Sequence, residues 1–189
     1  TRPEPERMRA PDSSDRGAPT VQRDPSYLQA VMAVYQGEVL GEAMFSQLAA
    51  TAPTPWLQGL YSTMLQFETE TKMRLRPFIH RLGLSVAEDE SARAEGLRVA
   101  RRYEALEPAA WIELFEREIG EYVDRYQALA DRAPPEDAGV LEGMAEHERV
   151  FLCVVAAMRA GDEAGAVETV ARRLAFPLVF AARPTSREH

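Results

Sequence analysis

The sequence predicts an all-α protein: an antiparallel four-helix bundle with a crossover helix and a short C-terminal helix. Three observations carry this. Long stretches repeat apolar residues at alternating spacings of about three and four, the period of one helix face. Breaks rich in proline or glycine separate the stretches. Between them there is a marked lack of strand signals.

Residues 1–24 (TRPEPERMRAPDSSDRGAPTVQRD) are rich in Pro, Arg, Asp and Ser and poor in large apolar residues. Such a composition does not offset its own ordering entropy, so a flexible arm is expected. The bundle is expected over 25–182 and a tail over 183–189. A first helix runs from Ser26 to about Ala50, with Asp24-Pro25-Ser26 supplying its N-cap chemistry. Thr51-Ala52-Pro53-Thr54-Pro55 breaks it, and a second helix starts with Thr54 as cap and ends near Leu82. Gly83 suits the position just past a helix end, and Pro77 predicts a kink. Ser85 to Tyr103 reads as a polar, exposed crossover helix. Pro108 opens a helix to about Arg132, and Glu136 to Ala160 form the next after Ala133-Pro134-Pro135. Gly161-Asp162 precede a shorter helix with Val167, Val170, Ala171 and Leu174 at helical spacing. The apolar segment 178–182 is expected to fold back on the bundle.

At 189 residues the chain suits one domain. It carries 30 acidic and 22 basic residues, for a net charge of -8. With no basic stripe, that balance opposes nucleic-acid binding. The single cysteine, Cys153, excludes an intramolecular disulfide and a thiolate metal cage. It points to a reducing, cytoplasmic setting and is expected to be buried packing. No apolar run nears the roughly 20 residues that span a bilayer, so no membrane partner is expected. Phosphate loops, nucleophile elbows and HExxH are absent.

The functional signal lies in the helix seams. In the first helix the inward positions read Leu28, Val31, Tyr35, Glu38, Glu42, Phe45 and Ala49. In the second they read Leu57, Tyr61, Met64, Glu68, Thr71, Leu75, Phe78 and Leu82, with Glu70 off the stripe and solvated. The helix after Pro108 shows Ile112, Phe115, Ile119, Tyr122, Tyr126 and Leu129, bordered by Glu118. The next shows Leu141, Met144, Glu148, Phe151, Val155 and Met158, with His147 beside it. A buried, isolated carboxylate costs several kcal/mol unless it is paired, protonated or bound to a cation. A shared cation resolves that cost, and oxygen with imidazole ligands suits iron, manganese or zinc. Ordinary alternatives stand beside this: arginine partners for Glu38 and Glu42, a Glu68–Lys72 pair one turn apart, a solvated Glu118, and a core-edge His147 bonded to a carboxylate. His80 reads as a C-terminal capping residue. The seam tyrosines and methionines read as packing, with Tyr35 or Tyr61 shaping any pocket.

Over roughly residues 26–160 this arrangement resembles the ferritin-like superfamily, which includes rubrerythrins and other di-iron carboxylate proteins. That family takes one Glu from each of two bundle helices and a Glu-x-x-His pair from each of the other two. The resemblance implies a metal set drawn from Glu38 or Glu42, Glu68, Glu118, and His147 with Glu148, holding iron or manganese. It implies redox chemistry on a small molecule, with a homodimer as a further partner expectation. The motifs are degenerate: Thr71 and Phe151 stand where the family has histidine, and His147 precedes its carboxylate. A metal-free bundle acting as a small-molecule-binding or protein-interaction module is the alternative.

Overall fold

The capping chemistry read from the sequence sets the helix starts. In a computed structural model, which describes residues 23–176, the Asp24 carboxylate accepts the Ser26 N–H at 2.8 Å and opens α1 (Pro25–Thr51). Thr54 caps α2 (Pro55–Arg81) through the Leu57 N–H. α3 (Glu90–Glu104) starts at Asp89, whose carboxylate accepts the Ser91 N–H. α4 (Pro108–Asp131) and α5 (Pro135–Arg159) both open on a proline, whose fixed φ and missing donor fit the first turn. Asp162 caps α6 (Glu163–Ala171). No strand occurs among the described residues, and no helix there is long and apolar enough to cross a membrane.

α2 ends as the glycine predicts. Gly83 has φ +71°, its N–H donates to His80, and the Leu84 N–H donates to Ile79. That pairing is a Schellman cap. α2 stays helical through Pro77, which lies with Met73 on the exposed face. The carbonyl that proline leaves unbonded is thus on the water side.

The crossover departs from expectation in two ways. It does not become helical at Ser85: residues 84–89 are irregular. Side chains hold them down: the Tyr35 hydroxyl donates to the Val86 carbonyl and Gln36 bridges Ala87 and Asp89. Nor is α3 merely an exposed connection, since Gly96, Val99, Ala100 and Tyr103 are buried. α3 packs along α1, and Gly96 makes that possible. A Cβ there would collide with the Leu40 carbonyl.

α1 packs against α2, α4 against α5, and α6 fills the side of α5 and α2. The result is a helical bundle whose core is divided. One apolar half gathers Phe45, Met64, Trp111, Phe115, Phe151 and Val155. The other gathers Tyr27, Tyr35, Leu75, Ile79, Leu141 and Met144. Between the halves along α1, α2 and α5 lie Glu38, Glu68, Thr71, His147 and Glu148, all buried. The expected tail packing over 178–182 and nearly all of the expected N-terminal arm lie outside the described residues.

Candidate metal centre

Each helix delivers its polar residue to this layer for a local reason. On α1, Gly37 and Gly41 flank Glu38 one turn apart. A Cβ on Gly41 would lie 2.5 Å from the Glu68 carboxyl carbon, and one on Gly37 would lie 2.7 Å from the Tyr126 hydroxyl. The glycines thus make the room that lets Glu68 and Tyr126 reach the α1 backbone. On α5, His147 and Glu148 are both buried because that helix is covered on more than one side, by α4 and, around His147, by Phe67, Glu68 and Thr71 of α2.

Glu38, Glu68 and His147 converge, with one ligand atom from each within 4.8 Å of the others. His147 Nε2 is 3.5 Å from Glu68 Oε2 and 3.7 Å from Glu38 Oε2. Both separations exceed an N–H···O bond. They lie within a few tenths of an ångström of the about 3.0–3.4 Å that separates two ligands on one ion with bonds near 2.1 Å. Glu38 Oε2 and His147 Nε2 are buried with no hydrogen-bond partner, and such atoms are rare in native interiors.

The imidazole is fixed from three sides. The Thr71 hydroxyl lies 3.1 Å from Nδ1. Phe67 stacks on the ring with centroids 4.3 Å apart, and Phe151 meets it edge-on. With its proton on Nδ1, donated to Thr71, the ring turns the Nε2 lone pair toward two carboxylates. A cation satisfies that arrangement, and the Thr71 contact is the kind that orients a metal-bound histidine.

Burial, together with the charges of Glu68, Glu148 and Glu42, pushes the Glu38 carboxyl well above the ordinary carboxylate range. Burial and Glu68 push Glu148 up as well, opposed by Arg125. Glu148 does not join the three-residue cluster. It lines a cavity of about 230 Å³ whose floor also includes Glu38 and Glu68.

The other predicted ligands lie elsewhere. Glu42 and Glu88 both accept from Lys72, which is buried between them, so Lys72 does not pair with Glu68. Glu118 is half-buried and accepts from Arg102 and from the Tyr103 hydroxyl. At the height of the polar layer α4 offers Tyr122 and Tyr126 instead. These two and Tyr103 line the cavity, whereas Tyr35 and Tyr61 do not.

Further expectations are corrected by partners distant in sequence. Glu70 is not solvated: it accepts the Ala175 and Phe176 N–H groups and so anchors the chain leaving α6. Cys153 is exposed instead of packed inside. Asp137, which periodicity did not single out, is fully buried at the start of α5, where Tyr27, Arg23 and Arg81 converge on it. Its position in the first helical turn was the only sequence signal, and that signal is common to many surface aspartates.

No protein-family profile, characterised protein or solved structure matches this chain.

Proposed function

We propose that the chain is a ferritin-like, antiparallel four-helix bundle that binds a transition metal between Glu38, Glu68 and His147 and supports redox chemistry on a small molecule. The observation carrying this reading is the pair of unpartnered, buried ligand atoms, Glu38 Oε2 and His147 Nε2, facing Glu68 at metal-ligand separations. The helix order supports it as well: two adjacent pairs, α1 with α2 and α4 with α5, joined through α3.

Two carboxylates and one imidazole suit iron or manganese, either of which supplies a redox couple beside the cavity. The protein's own part is to hold and to shield. Thr71 and Phe67 fix the imidazole, and Phe151 meets it edge-on while packing against Phe45 and Phe115 in the neighbouring half of the core. Burial favours the neutral form of Glu148, which lines the cavity.

One observation favours a metal-free reading: burial and the neighbouring carboxylates shift Glu38 toward its neutral form, in which it can hydrogen-bond to Glu68 without a cation. Elemental analysis after anaerobic reconstitution with Fe(II) or Mn(II) separates the two. The metal reading expects stoichiometric metal that is lost in Glu68→Ala. Absence of bound metal from the unaltered protein sinks it and leaves a metal-free bundle that binds an organic ligand.

A further inference from the structure

The cavity joins an exposed rim to the buried carboxylate floor. Arg98, Arg102 and Arg125 line it and are exposed, whereas Glu38, Glu68 and Glu148 are buried. Two of the three rim cations are already matched: Arg98 pairs with Glu95 and Arg102 with Glu118. Arg125 forms no salt bridge among the described residues, and neither does Glu121, the exposed carboxylate beside it on the rim. The Arg125 guanidinium lies over the Tyr122 ring, 4.4 Å from its centroid. A guanidinium presents several N–H donors, so one resting against a tyrosine can still receive a carboxylate through two parallel hydrogen bonds.

Between rim and floor the wall is apolar, with Phe45, Phe115 and Phe151 among its residues. The volume of about 230 Å³ is below the roughly 300–1,000 Å³ of pockets for drug-sized ligands. A short molecule with one charged end fits this sequence of surfaces.

We infer that the cavity binds a small amphipathic organic anion, its carboxylate on Arg125, its apolar body against Phe45, Phe115 and Phe151, and its far end beside Glu38 and Glu68. The inference rests on the metal reading only for what happens at that far end.

Calorimetric titration of the full chain, metal-free and Mn(II)-loaded, tests it with phenylpropionate, phenylpropanol and phenylpropylamine as probes. The acid is expected to bind at least about tenfold more tightly than the alcohol, as a charge-assisted bidentate contact provides. Arg125→Gln is expected to bring the acid down to the level of the alcohol, and Arg125→Lys to restore part of the difference. Arg125 is exposed, so both variants are expected to melt like the parent. Equal binding of acid and alcohol, tighter binding of the amine, no binding at all, or unchanged binding by Arg125→Gln overturns the inference. Metal content measured on the same samples keeps the two readings apart. Metal retained without acid binding sinks the cavity inference alone, and acid binding without metal supports it while sinking the metal site.

Discussion

Alanine is normally a better helix residue than glycine by about 0.5–1 kcal/mol, yet Gly41 lies in the middle of α1 with the Glu68 carboxylate where a methyl group would be. Gly143, mid-helix on α5, has open space at the same point. The two make a matched pair. Gly143→Ala is expected to stabilise the protein by about 0.5–1 kcal/mol, whereas Gly41→Ala is expected to forfeit that gain and weaken Mn(II) binding about tenfold by displacing Glu68. Urea melts and metal titrations of both variants check this, and unimpaired metal binding by Gly41→Ala would refute the assigned role. At this scale the sequence was partly legible. Glu38, Glu68, His147 and Glu148 stood out because each interrupts or borders an apolar seam. Glu42 occupies an equally good seam position and still escapes the cluster, because Lys72 captures it from α2. Helical periodicity records which way a residue faces and carries no information about a cation arriving from another helix. Gly37 and Gly41 were not singled out, because a glycine pair around Glu38 means space only once the facing side chains are known.

The connection after α2 shows how an element can resist its own propensity. Residues 84–89 precede a helix-prone stretch, yet the helix waits for Asp89 because the chain is fastened before it. Glu88 accepts from Lys72, Arg76 and Arg93. Those partners, Lys72 foremost, hold its carboxyl below the ordinary value of 4.5. Below that value the unfolded chain therefore binds the proton more readily than the folded one. The stabilisation is present above pH 4.5 and disappears as pH falls through the lower folded value. Glu88→Gln is expected to cost about 1–3 kcal/mol at pH 7, since it leaves buried Lys72 with one carboxylate partner fewer. The difference from the parent is expected to shrink toward pH 3. Denaturant melts at the two pH values measure this, and a difference independent of pH would show that Glu88 is not the anchor. Caps, prolines and glycines made the boundaries of the other long helices readable to within a residue or two, because those signals are local, whereas α6 ends at Ala171, short of the expected Leu174. The late start of α3 was not readable, since its cause lies in Tyr35, Gln36 and Lys72 on two other helices.

Across the whole molecule, a polar layer separates two apolar half-cores, and the order of long helices that anticipates a bundle was evident from the sequence. The division of the core was not, because it depends on three helices placing their polar residues at one height. A bundle built this way is expected to respond globally to an ion bound in that layer. Mn(II) at about a hundred times its dissociation constant is expected to add about 2.7 kcal/mol to stability. Because the ion competes with protons for carboxylates that burial holds toward the neutral form, the increment at a fixed Mn(II) concentration is expected to grow as pH rises. Glu38→Gln is expected to abolish the increment while leaving the metal-free protein at least as stable as the parent, because the amide carries no charge to bury. Thermal melts with and without Mn(II) report both quantities.

The exposed position of Cys153 has a practical meaning for such measurements. It is the single thiol of the chain, and it stands six residues after His147 on the same helix. That is about 9 Å along the helix axis. A nitroxide attached there would sit close enough to a paramagnetic ion in the cluster for its spectrum to broaden, and far enough away to leave the ligands untouched. The protein thus carries its own molecular ruler, ready for labelling without a single substitution.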